Sequence, residues 1–258
     1  MTIRPAKAMI LAAGLGTRMR PLTDATPKPL LELCGRTLLD HEFERLGAAG
    51  VRDVVVNAHW KAEQIDAYLA RREAAGMPIR TMLMREAALL DTGGSVQAAL
   101  PKLGPEPFYV INGDAFWQDG PRPALARLAR AFDPAEMDGV LLVHRSFQVR
   151  AEVGYGDFAV DKLGLPSRRG ERQVVPYIFA GVQLIAPALL DGMPNGMAGE
   201  MPVGMGHKFS MNLAWDRAIA AGRLRVVVHD GLWFHLSTPE DLRDAEQMLH
   251  PPGHGEPR

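Results

Sequence analysis

The chain has 258 residues, 47% hydrophobic and 23% charged, which is the composition of a folded globular protein and excludes a disordered one. Its 29 basic and 30 acidic residues leave a formal charge of −1, which argues against a general polyanion-binding surface but leaves room for a local basic pocket. The lone Cys34 cannot form an internal disulfide and fits a reducing cytoplasm; no uncharged run reads as a signal peptide or a membrane span.

Lys7–Leu11 is a short apolar run ending in Ala12-Ala13-Gly14, which predicts a buried strand feeding a glycine loop. A loop marked by Pro21, Pro27 and Pro29 comes next. Leu38–Ala49 carries Leu38, Leu39, Phe43 and Leu46 at helical spacing, with Gly50 as a stop. Val54–Val56 predicts a second buried strand, Lys61–Arg71 a helix with Ile65, Tyr68 and Leu69 on one face, and Ile79–Met84 a third strand. Gly94–Leu103 predicts a short helix, bent or begun late by Pro101, and Phe108–Ile111 a fourth strand closed by Asn112-Gly113-Asp114. Ala124–Ala131 reads as a helix, Val140–Val143, Phe158–Val160, Val174–Phe179 and Arg225–Val228 as strands, and Phe209–Ala221 and Pro239–Leu249 as helices. Within Gln173–Leu190, Pro176, Gln183 and Pro187 predict a strand, a turn and a helix start. Gly192–Gly206, rich in Gly, Met and Pro, predicts a mobile loop.

Four strand-then-helix units argue for an α/β fold, a mostly parallel open sheet flanked by helices, with a smaller β-rich lobe in the looser second half. The expectation is one domain over about residues 1–250, divided near residue 120, and a disordered tail from 251 to 258.

In such sheets ligands bind outside the carboxyl ends of the strands. Two ends here carry unusual residues. The first is Gly14-Leu15-Gly16-Thr17-Arg18-Met19-Arg20, whose glycines let backbone N–H groups approach phosphate oxygens. It lacks the third glycine of a dinucleotide loop and the Gly-Lys-Ser/Thr of a P-loop. By itself it is equally a glycine turn beside solvated arginines. The second is Asn112-Gly113-Asp114, which by itself makes a good turn. Asp91-Thr92-Gly93-Gly94 opens the helix before it, with Asp91 or Thr92 as an N-cap.

The Gly-x-Gly-Thr-Arg-Met loop is followed about ten residues later by Pro27-Lys28-Pro29. In that order and at that spacing, directly after the first strand, the sequence resembles the sugar-1-phosphate nucleotidyltransferases. The resemblance implies a Rossmann-like fold and transfer of a nucleotidyl group from an NTP to a sugar 1-phosphate, with release of pyrophosphate. It assigns Arg18, Lys28 and Asp114 to catalysis, and Leu11, Ala12, Ala13, Gly14, Gly16, Thr17, Arg18, Lys28, Asp91, Thr92, Gly93 and Asn112 to the nucleotide. Base choice would be set in the Glu86–Gly94 stretch. Asp114 would hold Mg²⁺, with Mn²⁺ as a possible substitute. The negative charge of the transition state calls for a backbone nest, a guanidinium and an ammonium, not a covalent intermediate. The attacking sugar phosphate has its second pKa near about 6 and needs no general base.

Asp91–Gly94, Asn112–Asp114, Gly156-Asp157-Phe158 and Phe179-Ala180-Gly181-Val182 are similar to the branch that joins UTP to N-acetylmuramate 1-phosphate in cell-wall recycling. Guanylyl transfer to mannose or heptose 1-phosphate and thymidylyl transfer to glucose 1-phosphate stay open. Gly156, Asp157, Gly181 and Asn212 are candidates for the sugar side, each with an alternative as turn, bulge or cap.

In the C-terminal Trp233-Phe234-His235-Leu236-Ser237-Thr238 string, His235 stands where the family carries a second metal-binding aspartate. Three readings are open. His235 ligates the metal, or Asp114 holds it with phosphates and water, or the chain is a non-catalytic regulatory subunit that binds sugar nucleotides. Intact Arg18, Lys28 and Asp114 favour catalysis. Nucleic acid is not expected as a partner, because no basic stripe is interleaved with aromatics. A monomer and a homo-oligomer are both compatible with the sequence.

Overall fold

The computed structural model describes residues 3–149, 154–194 and 207–249. The expected tail at 251–258 and most of the expected Met-rich loop, 195–206, lie outside them.

The first half alternates as its apolar runs predict. β1 (Lys7–Leu11) leads through a short helix α1 (Leu22–Ala25) and a hairpin of β2 (Glu32–Leu33) and β3 (Arg36–Thr37) into α2 (Leu38–Ala48). The hairpin turns at Cys34 and Gly35, both with positive φ, as a tight two-residue loop requires. Thr37 and Asp40 form a reciprocal capping box that starts α2. Then come β4 (Asp53–Ala58), α3 (Ala62–Ala74), β5 (Arg80–Arg85), α4 (Asp91–Leu103), β6 (Phe108–Asn112), β7 (Ala115–Gln118) and α5 (Ala124–Ala131). The second half runs β8 (Gly139–Arg145), β9 (Phe158–Val160), β10 (Pro166–Arg168), β11 (Tyr177–Ile185), α6 (Met211–Ala220), β12 (Leu224–Val228), β13 (Leu232–His235) and α7 (Pro239–Leu249).

One nine-stranded sheet passes through both halves. Its β5-β4-β1-β6 part is all parallel. β11 then joins antiparallel to β6, with Val182 opposite Ile111, and passes the sheet on to β8 and β9; β12 closes it parallel to β8. Alternate residues of β1 enter separate cores on the two faces: Ala8 and Ile10 pack with α2, α3 and α5, and Met9 with α4 and α6.

Two expected elements are corrected. The strand expected at Val174–Phe179 runs from Tyr177 to Ile185, through the expected turn. Gly181 takes φ +79° at a register shift against β8, and Gln183 stays inside the strand because its buried Oε1 accepts from Trp215 Nε1 at 2.9 Å. α4 begins at Asp91, three residues before the expected Gly94. Its early glycines are needed for packing: a Cβ on Gly94 would lie 2.1 Å from the His207 carbonyl oxygen.

His144 on β8 is 4% exposed, and burial, with positive charge at His229 and Arg145 adding to it, pushes its imidazole down to about 4. Between its ordinary pKa of 6.5 and that value only the unfolded chain takes up the proton. Stability should therefore fall as the pH drops through that window, by up to about 3 kcal/mol. Urea midpoints at neutral pH and near the lower limit, compared with those of His144→Gln, measure it; the variant should lose less.

Candidate active site

β1 and β6 end side by side, and the turn after β6 is pulled under the turn after β1. Gly113 N–H donates to Leu11 O at 2.8 Å, an approach that any Cβ at Gly113 would block. Gly16, at φ +62°, hands the chain into the turn Thr17–Met19, and Thr23 Oγ1 donates to its carbonyl at 2.8 Å. Behind this loop Lys28 is 8% exposed, and its Nζ lies 2.6 Å from Asp114 Oδ2. Arg18 projects from the same turn, exposed, into the cavity so formed. Arg20 instead pairs with Asp24 at 3.2 Å.

The cavity measures about 500 Å³, the size of a small-molecule site. Eleven of the twelve residues expected to hold nucleotide line it: Leu11, Ala12, Ala13, Gly14, Gly16, Thr17, Arg18, Lys28, Asp91, Thr92 and Asn112. Gly93 does not. Its N–H donates to Phe209 O at 3.0 Å, and a Cβ there would strike the Phe209 ring. The side-chain N-cap expected at Asp91 or Thr92 is not formed: Leu90 takes the N-cap position without a side-chain bond, and Asp91 Oδ1 accepts only from the adjacent Thr92 N–H at 2.6 Å. Thr92 Oγ1 accepts instead from Met211 N–H at 2.9 Å, which fixes α4 to the start of α6.

A buried chain of polar groups forms one wall. Asn57 Oδ1 accepts from Ala12 N–H at 2.7 Å, and Asn57 Nδ2 donates to Glu86 Oε1 at 2.7 Å. Ser95 Oγ donates to the same oxygen at 2.6 Å, and Leu90 N–H to Glu86 Oε2 at 3.2 Å. Asn57 and Lys208 line the cavity without having been singled out in the sequence; Ser95, next to the Asp91–Gly94 segment, and Ser237, from the His235 string, line it as well. Asn57 had a readable signal, a polar residue at the carboxyl end of an apolar strand, like Asn112 on β6. Lys208 had none.

None of the sugar-side candidates lines this cavity. Gly181 lies just beyond it, where a Cβ would come 2.8 Å from Ala115 Cβ and 3.4 Å from Asn112 Cβ. Gly156, at φ +80°, packs against the Val175 carbonyl. Asp157 Oδ2 accepts from Phe179 N–H at 2.8 Å, and Asn212 Oδ1 from Arg168 Nη2 at 3.0 Å.

His235 sits on β13 opposite Ala115 of β7. Its Nε2 is 2.7 Å from Ser237 Oγ, which leaves Nδ1 for any other partner. Burial holds its pKa below the ordinary value; Asp241 opposes this, Arg18 and Lys28 add to it, and Asp114 opposes it. Among the described residues no three His, Cys, Asp or Glu side chains converge on a metal position. Asp114 keeps one carboxylate oxygen clear of Lys28, and its side chain is 42% exposed. That donor set fits a hard cation held by one carboxylate, with phosphate and water completing the shell, and does not fit an all-protein cage.

Residues 7–169 match the family model described as nucleotidyl transferase. The chain belongs to the nucleotidyl transferase family. This transferase is 36% identical to the N-acetylmuramate alpha-1-phosphate uridylyltransferase of Caulobacter vibrioides, over 96% of this chain and 99% of that one. It is 33% identical to the enzyme of the same name from Neisseria meningitidis, over 94% and 97%. Its fold superposes on UDP-glucose pyrophosphorylase complexed with UDP-glucose at a TM-score of 0.74 and 15% identity, covering 94% of this transferase and 97% of that chain. No helix among its described residues is long and apolar enough to cross a membrane.

Proposed function

We propose that the transferase joins UTP to N-acetylmuramate 1-phosphate, giving the UDP-sugar and pyrophosphate. The observation that carries the reaction class is the convergence of Lys28, Arg18 and Asp114 on one cavity at the ends of β1 and β6. In this reading a phosphate oxygen of the sugar attacks the α-phosphorus of the nucleotide. The bond from that phosphorus to the bridging oxygen breaks, and its electron pair leaves with pyrophosphate. Lys28 and Arg18 neutralise the charge that gathers on the leaving phosphates. The backbone from Ala12 to Gly16 approaches the triphosphate, which glycine allows at Gly14 and Gly16. Mg²⁺, held by Asp114, would polarise the α-phosphoryl group.

Base choice falls to Glu86. A carboxylate has about four lone-pair sites and only accepts hydrogen bonds when ionised. Three are taken, by Asn57, Ser95 and Leu90, so the cavity-facing remainder suits a base with a ring N–H donor. Uracil carries one at N3, whereas cytosine presents a lone pair there. The selection of uracil over other bases with a ring N–H, and of the sugar, rests on the two uridylyltransferase relatives.

Pyrophosphate release decides the reading, measured for five nucleoside triphosphates against a panel of sugar 1-phosphates. UTP with N-acetylmuramate 1-phosphate should give the highest kcat/KM. A higher value for GTP with mannose or heptose 1-phosphate would overturn the specificity and keep the reaction class. No release from any pair would favour a regulatory subunit. Glu86→Gln introduces a donor where only acceptors stood, and should cut the preference for UTP over CTP by about tenfold or more.

A further inference from the structure

Three cationic side chains line the cavity at the ends of β1 and β6: Arg18, Lys28 and Lys208. Arg18 and Lys28 come from the segment between β1 and α2. Lys208 enters from another wall, on the stretch that leads into α6.

That stretch is clamped to the first turn of α4. Phe209 N–H donates to Leu90 O at 3.1 Å, Gly93 and Gly94 N–H donate to Phe209 O at 3.0 and 3.1 Å, and Met211 N–H donates to Thr92 Oγ1 at 2.9 Å. The two glycines make the approach possible, since a Cβ on Gly93 would strike the Phe209 ring and one on Gly94 the His207 carbonyl. Phe209 and Met211 are buried by this docking, whereas Lys208 beside them is exposed. Its side chain makes no ion pair or hydrogen bond among the described residues. The backbone that carries it is thus fixed, and its ammonium is open to an anion of the ligand.

Position decides which anion. In the reading above, the phosphates meet Arg18, Lys28 and the backbone of the loop after β1. Lys208 stands four residues before Asn212, whose Oδ1 accepts from Arg168 Nη2 at 3.0 Å, and Arg168 lies on β10 in the second half of the chain. It therefore borders the half expected to hold the sugar. N-acetylmuramate 1-phosphate has a carboxylate on its lactyl ether, which the 1-phosphates of N-acetylglucosamine and mannose lack.

We propose that Lys208 selects the acidic sugar, its ammonium pairing with the lactyl carboxylate. The inference rests on the substrate reading above. A charge-assisted bond to the carboxylate favours the acid, and the flexible lysine stem lets the ammonium follow it. A neutral sugar leaves the ammonium in water, so the two differ in affinity by that one bond.

Isothermal titration of the full-length protein with UDP-N-acetylmuramate, UDP-N-acetylglucosamine and UDP tests it, because the two sugar nucleotides differ only in the lactyl ether. The wild type should bind UDP-N-acetylmuramate the more tightly. Lys208→Met should weaken that binding about tenfold and leave the other two within about twofold, and Lys208→Arg, which keeps the charge, should stay within about threefold of the wild type. Equal weakening of all three ligands would place Lys208 at the nucleotide and overturn the proposal. Unchanged binding of UDP-N-acetylmuramate by Lys208→Met, or no preference for it in the wild type, would overturn it as well. Pyrophosphate release by the wild type from UTP and N-acetylmuramate 1-phosphate separates the two failures. Release together with any of those three titration results overturns the role of Lys208 alone, and no release overturns the substrate reading itself.

Discussion

Lys28→Ala should lower kcat by at least about a hundredfold and leave the fold intact. The ammonium is held at 2.6 Å from Asp114 and is 8% exposed, so it acts in a site with little water to screen it. A fixed charge in such a place, aimed at where negative charge develops, contributes about 3–4 kcal/mol to a transition state, or about two to three powers of ten in rate. Stability should change much less, because Asp114 is 42% exposed and water solvates it once Lys28 is gone. Single-turnover rates with saturating UTP, together with a melting curve, separate the two effects. A rate within a fewfold of wild type would remove Lys28 from the chemistry. A nucleotidyl-enzyme trapped in either protein would replace direct attack by a two-step path.

Asp114→Asn should be as damaging, for a different reason. The side chain keeps its shape but loses the charge that would hold Mg²⁺, and Lys28 loses its only ion-pair partner among the described residues. A fall in kcat of at least about a hundredfold is expected, with the Mg²⁺ concentration for half-maximal rate moved upward. Because Asp114 offers one free carboxylate oxygen and no three His, Cys, Asp or Glu side chains converge on a metal position among the described residues, metal affinity without nucleotide should be weak even in the wild type. An unchanged Mg²⁺ titration in Asp114→Asn would show that the ion is held by phosphates and water alone. His235→Asp then probes the neighbouring position. If its metal dependence and pH profile match the wild type, His235 is not at the metal, in keeping with its bond to Ser237.

Much of the first half was legible from local signals. Val54–Val56 and Phe108–Ile111 are too apolar to be anything but buried, and β4 and β6 extend them by only a residue or a few. Glycine loops at strand ends are equally local, since Gly16 with φ +62° and Gly113 against Leu11 O meet steric requirements that few other residues satisfy. Most of the lining of the cavity at the ends of β1 and β6 was named from those loops with the family motif.

The second half was less legible because its strands are short and take their partners from afar. β7 and β13 pair Trp117 with Trp233, and neither segment shows enough alternation to declare itself. Gln183 argues for a turn by its polarity, yet sits in a strand because Trp215 supplies a donor from another element.

Local sequence thus determined where β1, β4, β5 and β6 begin, where the backbone must turn tightly, and which loop ends carry charge, because apolar burial and left-handed φ are properties of a few adjacent residues. Only the tertiary structure decided that Lys28 faces Asp114 across 86 residues, that Asn57, Glu86 and Ser95 share one buried network, and that Gly93 serves packing against Phe209 and not the cavity. Those outcomes depend on which polar groups find partners once the sheet has closed. A buried donor or acceptor settles wherever its hydrogen bond can be made, and nothing in the neighbouring sequence records the position of a partner on a distant strand.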